Sequence, residues 1–521
     1  MLAARAHRTS AVTLATILSR TQQGLEAPLV RVEVHVGSGL PAFSIVGLPE
    51  TAVKESKDRV RAALANCGFE LPPGHITVNL APADLPKEGG RFDLPIAVGI
   101  LVASTQLPAG PFAGCELYGE LSLGGDLHAI RGALPTALQG TRAGHAMVLP
   151  AGNLAEASLV QGGRVYGATH LLEVCRHARG IEPLTLATRP ATPPLRWVGP
   201  DLADVRGQAG ARRALEIAAA GEHSLLLMGP PGSGKSMLAQ RLPGILPPMT
   251  EDEALETAAV RSLSAPAFRL DEWRRRPFRS PHHTASAIAL VGGGSRPRPG
   301  EISLAHNGVL FLDELPEFDR QVLEVLREPL ESGQVSISRA ARQATFPARF
   351  QLVAAMNPCP CGRLGDPTAN CRCPPERIEA YRARISGPLL DRIDLHVEVP
   401  RVSAEAIAST RPDETSVAVA ARVAAARARQ LARQRRSNAR LESVDVAGAI
   451  LAEPAALALL ERAMRALALS ARGYHRVLRV ARTIADLEGC ERVAAGHVAE
   501  AVSLRQLDRR SGAAALASIS A

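Results

Sequence analysis

Gly229-Pro230-Pro231-Gly232-Ser233-Gly234-Lys235-Ser236 is the stretch that decides how this chain folds. The apolar run Ser224–Met228 before it reads as a buried strand, and Met237–Leu242 after it can open a helix. Strand, glycine-rich turn and helix start are the setting of a phosphate-binding loop. In such a loop successive backbone N–H groups converge on the β- and γ-phosphates. Lys235 adds a point positive charge, and the Ser236 hydroxyl is placed to ligate Mg²⁺. A plain glycine turn has no need of Lys-Ser directly after its last glycine. The segment Gly229–Ser236 is therefore assigned to binding a nucleotide.

A second segment turns binding into hydrolysis. Val309-Leu310-Phe311-Leu312 is again a buried-strand pattern, and it ends in Asp313-Glu314. Asp313 can hold the Mg²⁺, directly or through water, and Glu314 can polarise the attacking water as general base. Two adjacent acids can also merely cap a helix. Behind four apolar residues, about 77 residues beyond Ser236, the catalytic reading prevails. The two segments together describe a P-loop NTPase of the ATP-hydrolysing kind.

Composition sets the wider frame. A length of 521 residues fits about three domains, and 46% hydrophobic residues are enough for several cores. No uncharged apolar run reaches membrane-spanning length. The basic start Met1–Arg8 is followed by a stretch broken by Ser, Thr and Arg, without a signal core or cleavage site. A cytoplasmic protein is the expectation. The net charge of +9, carried more by Arg than by Lys, suits phosphate-backbone contact, although an Ala/Arg-rich composition alone gives the same excess.

Residues 1–180 carry no nucleotide motif and read as mixed α/β. Val30–Val36 alternates like a strand, Glu50–Cys67 is helical, and Ile76–Leu80 is strand-like. Pro95–Ser104 and Leu134–Gly144 are helical. A Pro-rich stretch, Thr188–Pro200, reads as an extended linker within 181–204. An α/β nucleotide core follows over 205–400, and the Ala- and Leu-rich 401–521 reads as a helical domain. Arg422, Arg427, Arg429, Arg433, Arg435, Arg436 and Arg440 lie on one basic helix. That helix is either a solvated face or a contact to DNA or a neighbouring subunit.

Cys359-Pro360-Cys361 and Cys371-Arg372-Cys373 form two C-x-C pairs. Four thiolates on one loop can close a Zn²⁺ site; redox-sensitive thiols and plain packing are the other readings. Cys67, Cys115, Cys175 and Cys490 are scattered and read as buried thiols. His282 and His283 lack the spacing of a helical metal pair and read as structural.

With these residues in place the chain resembles an AAA+ ATPase. The motifs Gly229–Ser236, Val309–Glu314, Ala354–Pro358 and Gly387–Asp394 occur in that order. It resembles more closely the magnesium-chelatase-like branch, and within it the ComM/YifB family. Arg279–Thr284 with Val291–Gly294, Pro299–His306, Val46–Glu50, Asn79–Phe92 and Arg479–Leu487 carry this closer resemblance, which covers essentially the whole chain. The resemblance implies an AAA+ core with a C-terminal helical lid. It also implies a homo-oligomeric ring, a hexamer, that uses ATP and Mg²⁺ to drive DNA branch migration during natural transformation.

The same resemblance assigns individual residues. Asn357, after the apolar strand Phe350–Ala355, takes the sensor-1 position, where an amide orients the attacking water; a turn Asn before Pro358 is the other reading. Arg392 takes the place of the arginine that reaches a neighbouring subunit's γ-phosphate, against an internal ion pair with Asp391 or Asp394. Arg472 takes the sensor-2 place on the lid, with Arg476 as the second choice. Arg339 and Arg342 within Gln334–Arg349, and Arg296 and Arg298 within Arg279–Glu301, sit in segments that face the ring pore in this branch. Those arginines are the candidates for contacting DNA, single-stranded or branched, against a reading as solvated loops.

The N-terminal region resembles the Lon-protease-like fold, the α+β fold of ribosomal S5 domain 2. Leu85–Gly90 and Gly119–Gly125 look like its two active-site strands. Lon-type enzymes use a Ser nucleophile activated by Lys. Arg91 stands at the nucleophile position and Leu134 near the Lys position. Neither can perform the chemistry, so the resemblance implies a scaffold without peptidase activity. The competing functional expectation is a remodelling ATPase like the motor subunit of magnesium chelatase or a MoxR-like ATPase.

Overall fold

The computed structural model describes residues 13–189, 197, 199–264, 269–294, 297–339, 342–366, 370–402, 413–467, 469–505 and 507. The chain divides into two compact units, one of Met1–Pro193 with Ala254–Trp273 and one of Pro194–Glu253 with Arg274–Ala521.

The first unit is built on an eight-stranded mixed sheet. Its strands are β1 (Thr13–Arg20), β2 (Leu29–Gly37), β3 (Ala42–Val46), β4 (His75–Ala81), β5 (Cys115–Leu117), β8 (Ala146–Pro150), β9 (Arg164–Ala168) and β10 (Thr185–Leu186). A separate two-residue ladder joins β6 (Glu120–Leu121) and β7 (Leu127–His128). The strand order is β10-β9-β8-β5-β1-β2-β4-β3. Strict alternation in β2 buries Val30, Val32 and Val34 on one face. Against β1 and β2 lies the helix Asp93–Ala103, buried on nearly every side, which explains its uniformly apolar sequence. The interleaved segment 254–273 is tied in by Ser262. Its hydroxyl donates to the buried Glu156 carboxylate at 2.6 Å, and its carbonyl accepts from Gly132 at 2.9 Å. Nothing local to either sequence segment signals that pairing.

Two expectations for this unit change. Leu85–Gly90 is a loop with a single bridge, Pro49 to Lys87, and not a strand; within Gly119–Gly125 only Glu120–Leu121 is extended in a ladder. Lys87 is buried in that loop and donates to the Pro82 carbonyl. Arg91 is buried and donates to the carbonyl of Arg131 at 2.5 Å, and Leu134 is fully buried. Burial pushes the Arg91 pKa down to about 10.

The second unit contains the nucleotide motifs. Its parallel sheet consists of β11 (Leu225–Met228), β12 (Phe278–Arg279), β15 (Val309–Leu312), β18 (Gln351–Met356) and β19 (Leu395–Glu398), in the order β12-β15-β18-β11-β19. Two hairpins stand apart from it: β13 (Gly292–Gly293) with β14 (Arg298–Pro299), and β16 (Gln334–Arg339) with β17 (Arg342–Pro347). Every strand of β11, β15 and β18 is buried on both faces, which is why these segments are unbroken apolar runs. Because the neighbours of β11 are β18 and β19, the phosphate loop at its carboxyl end opens at a topological switch point, where ligands bind in open α/β sheets.

Helices Ser416–Gln434, Pro454–Ala466, Ala471–Glu488 and Ala495–Ser503 complete this unit and share one apolar core with the sheet. The expected linker 181–204 is docked at both described ends. Thr185–Leu186 pairs with β9, and the Leu202 amide donates to Ser416 Oγ at 2.7 Å; residues 190–196 and 198 lie outside the described residues. Residues 403–412, 468, 506 and 508–521 of the expected helical domain lie outside them as well.

The arginine run is only partly helical and partly solvated: the helix ends at Gln434, short of Arg435, Arg436 and Arg440, and Arg422, Arg429, Arg433, Arg435 and Arg436 are exposed, while several of the run also pair inward. Glu222 caps the helix Ala209–Gly221 in the left-handed region, at φ 61°. Its carboxylate pairs with the buried Arg427, with Arg440 at 2.6 Å and with Ser437 Oγ at 2.8 Å. Arg433 grips Asp486 at 2.8 and 2.9 Å, Arg429 donates to the Asp486 carbonyl at 2.7 Å, and Arg422 pairs with Glu216 at 2.6 Å. Arg422, Arg427, Arg429, Arg433 and Arg440 thus clamp this helical segment to Glu216, Glu222 and Asp486.

Burial alone would raise the Glu222 pKa, but Arg427, Arg440 and Arg276 outweigh it and hold the carboxylate well below the usual carboxylate range. Breaking such a buried pair costs about 3–5 kcal/mol. Glu222→Gln is therefore expected to lower unfolding stability at neutral pH by about that amount, measured by chemical denaturation. Because the folded pKa is depressed, the wild-type advantage is complete above the unfolded-state value of about 4.3 and is lost as the pH falls toward the folded value. The difference between the two proteins should hold from neutrality down to about pH 5 and shrink below about pH 4.

Candidate functional site

The phosphate loop closes on a helix, Lys235–Arg241, that begins directly after Gly234. Gly234 has φ 88°, a conformation that a side chain would strain. The buried Lys235 ammonium donates to the carbonyls of Gly229 at 2.8 Å and Pro230 at 3.0 Å, and to Asn357 Oδ1 at 3.2 Å. Burial lowers the Lys235 pKa, opposed by the nearby Asp313 and Glu314 carboxylates. Asn357 thus stands at the end of β18 with its amide oxygen on the loop lysine, and the plain-turn reading gives way to a place inside the site.

Ser236 Oγ donates to Asp313 Oδ2 at 2.5 Å, joining the ends of β11 and β15 across the strand between them. A hydroxyl and a carboxylate that already face each other form the hard-oxygen donor set that suits Mg²⁺. Asp313 Oδ1 accepts the Glu314 amide at 2.9 Å. Glu314 itself is in the left-handed region, at φ 52°, with its carboxylate exposed toward solvent.

Two residues of this site were given no role in it by the sequence, although one lies in the recognised stretch Arg279–Thr284. His283 places Nδ1 3.2 Å from a Glu314 carboxylate oxygen, with its ring edge-on to Phe318 at 6.5 Å and beside His282 at 4.1 Å. The expectation that His283 is only structural is thereby revised. Gln208, at φ 50°, donates to the Ser233 carbonyl at 2.5 Å and the Pro400 carbonyl at 3.2 Å, bracing the loop from outside. Its only signal in the sequence is a position shortly before the phosphate loop.

Arg392 and Arg472 meet elsewhere. The Arg392 guanidinium is buried and donates to the Pro388 carbonyl at 2.6 Å and to Glu331 at 2.5 Å. The expected alternative partners are engaged otherwise: Asp394 pairs with Arg476 at 2.5 Å, and Asp391 accepts Ser470 at 3.5 Å. The exposed Arg472 stands 3.7 Å from the same Glu331. Arg476 also donates to the Arg392 carbonyl at 3.0 Å, which ties the helix Ala471–Glu488 to this corner. Arg392 and Glu331 border an open cavity of about 370 Å³ with Glu324, Arg327, Glu328 and Ser332. Among the described residues, neither Arg392 nor Arg472 has a hydrogen bond or ion pair to the phosphate loop.

Of the candidate DNA contacts, Arg339 and Arg342 are paired at the turn end of the β16–β17 hairpin; their side chains, and all of Arg296, lie outside the described residues. Arg298 is exposed on β14. The helix Glu301–Leu304, which follows β14, packs on β16, so the two segments belong to one corner of the unit.

The four clustered cysteines converge. Cys359 Sγ lies 3.4 Å from Cys361 Sγ and 3.7 Å from Cys371 Sγ, and the latter two are 3.6 Å apart. All four sulfurs lie within 4.8 Å of one another. Of the scattered cysteines Cys115 and Cys175 are buried and Cys67 partly so, but Cys490 is exposed, against expectation. Among the described residues no helix is long and apolar enough to cross a membrane.

Comparison with known proteins agrees with this geometry along the chain. The family described as magnesium chelatase, subunit ChlI, matches residues 201–407, its C-terminal part matches 413–505, and the description subunit ChlI of Mg-chelatase matches 32–153. The chain is 50% identical to the competence protein ComM of Haemophilus influenzae, over 96% of this chain and 98% of that protein. It is 49% identical to the protein YifB of Salmonella typhimurium, with 96% and 98% covered, and 48% identical to YifB of Escherichia coli, again with 96% and 98% covered. Identity at this level along nearly the whole of both chains, over a sheet that carries the phosphate loop and its acidic partner, makes this protein a member of the ComM/YifB family of magnesium-chelatase-like AAA+ ATPases.

Proposed function

We propose that this protein is a ring-forming motor that hydrolyses ATP to translocate on DNA and drive branch migration in natural transformation and homologous recombination. The observation that carries the ATPase half is the convergence of Lys235, Ser236, Asp313 and Asn357 at the ends of three neighbouring strands. The DNA half is supported by the near full-length likeness to a competence protein and by the arginine-bearing hairpins. The runner-up, a protein-remodelling ATPase of the chelatase or MoxR type, draws on the name of the matching family.

In this reading Lys235 would exchange its loop carbonyls for the β- and γ-phosphates, and Ser236 and Asp313 are the residues that would hold Mg²⁺. The ion supplies charge neutralisation at the phosphate oxygens. Glu314 accepts the proton of the attacking water, which Asn357 orients. Glu314 must leave His283 to do so, so His283 restrains the base in the resting chain. Arg392 acts in trans on a neighbouring subunit's γ-phosphate, and Arg472 closes from the lid. Both must first give up Glu331. The N-terminal unit, Lon-like but without the nucleophile or its base, serves as scaffold.

The first test is steady-state ATP hydrolysis with and without single-stranded and branched DNA, with Glu314→Gln as blank. Strong stimulation by DNA that vanishes in the blank is expected; turnover indifferent to DNA would favour the remodelling reading. Arg392→Ala should lower turnover by about 10³-fold or more while leaving ATP binding unchanged. Added to wild type, it should poison mixed rings, because the missing charge belongs to the neighbour's site. His283→Ala should raise turnover without DNA and so reduce the stimulation ratio. A joint Arg298→Ala, Arg339→Ala and Arg342→Ala variant should weaken DNA binding and flatten its salt dependence, with basal hydrolysis retained.

A further inference from the structure

We propose that Cys359, Cys361, Cys371 and Cys373 form a structural zinc site whose task is to hold Asn357 against the phosphate loop. The second half of this statement rests on the ATPase reading above; the first does not.

The distances decide among the readings of the cluster. A tetrahedral zinc with Zn–S bonds of about 2.3 Å has sulfur–sulfur edges of about 3.8 Å. The separations of 3.4, 3.6 and 3.7 Å among Cys359, Cys361 and Cys371 are close to that edge. They are far longer than the ~2.05 Å of a disulfide. Cys373 completes the set within 4.8 Å, and its amide donates to Cys371 Sγ at 3.5 Å, the kind of bond that supports a thiolate ligand. Plain packing does not account for the cluster either, since Cys361 is exposed and Cys371 and Cys373 are only partly covered. Four soft sulfur donors filling all four positions specify a closed, structural site, and distinguish it from the oxygen-lined magnesium position at Ser236 and Asp313.

The chain has a physical need for such a site here. Between β18, which ends at Met356, and the helix Pro375–Arg382, no helix or strand occurs among the described residues. A loop this long inside a compact unit requires something other than backbone ladders to fix it. Its fixed points are few. Arg382 donates to the Pro358 carbonyl at 3.0 Å, and the buried Asp366 pairs with Arg401 at 3.0 Å.

The knuckle also leans on the nucleotide site. The fully buried Cys359 is two residues from Asn357. The Gly362 amide donates to the Cys359 carbonyl at 2.9 Å, which turns the chain back toward the phosphate loop. Gly362, at φ 74°, approaches so closely that a Cβ there would lie 2.4 Å from Pro231 Cδ and 3.8 Å from Asn357 Cγ. The metal-held turn is therefore wedged between the outer wall of the loop and the residue that orients water. Losing the metal frees one side of Asn357 while leaving the loop's own backbone intact.

The test uses the full chain, purified without chelator. Elemental analysis should find about one zinc per chain, and cobalt substitution should give tetrahedral thiolate absorption bands. Cys361→Ser and Cys371→Ser should each lose the metal. In these variants nucleotide affinity should stay within about threefold while turnover falls by about tenfold or more, and amide exchange at residues 354–357 should quicken. Where a variant does not fold, the same exchange comparison is made on wild type before and after zinc is extracted with a mercurial and restored. A chain with neither zinc nor cobalt bands overturns the site. Metal loss with unchanged exchange at 354–357 overturns its link to Asn357. If wild type hydrolyses no ATP, metal content and exchange still decide this proposal, and only the ATPase reading falls.

Discussion

The ammonium of Lys235 sets the terms for the second unit. A buried cation needs oxygen partners, and this one finds them in the carbonyls of Gly229 and Pro230 and the amide of Asn357. Satisfying it requires the loop to curl back on itself. It also requires β18 to lie beside β11, so that Asn357 arrives at the right end of the sheet. From that pairing the rest of the order follows, with β15 outside β18 carrying Asp313 and β19 on the other side of β11. The charge to which the proposed reading gives a phosphate is thus tied to the scaffold that presents it.

What could be read from the sequence was whatever chemistry is written next to the strand that carries it. Gly229–Ser236, Asp313-Glu314 and Asn357 each follow a four- to six-residue apolar run, so one glance supplies both the residue and its place. The arginine run failed that test, because its partners Glu216, Glu222 and Asp486 are remote in sequence from most of the arginines they pair with, and a local pattern of charge cannot reveal an internal clamp. The meeting of His283 with Glu314 was hidden for the same reason. Leu85–Gly90 misled in another way: its likeness to a strand came from a resemblance to another fold, and the backbone there is a loop around the buried Lys87.

Glu331 gives the isolated chain a resting state. It pairs with Arg392 and stands near Arg472, the two arginines that the family resemblance directs to phosphates. Both Glu331 and Arg392 border an open cavity, so their pairing is exchangeable in a way that the clamp around Glu222 is not. The contrast is one of solvation. At Glu331 a partly exposed carboxylate can return to water, whereas at Glu222 a largely buried one cannot.

That difference bears on how the protein can be taken apart. The carboxylate of Glu222 belongs to the helix Ala209–Gly221, which leads into the strand before the phosphate loop, yet its counter-charges come from Arg427 and Arg440. A fragment cut at the end of the sheet would lose two of the counter-charges of Glu222 and, with them, the wall of Val477, Ile484 and Val498 that the helices lend to the common core. The sheet and its phosphate loop are not a separable block: they share their core with the helices that seem, in the linear sequence, to be an appendix.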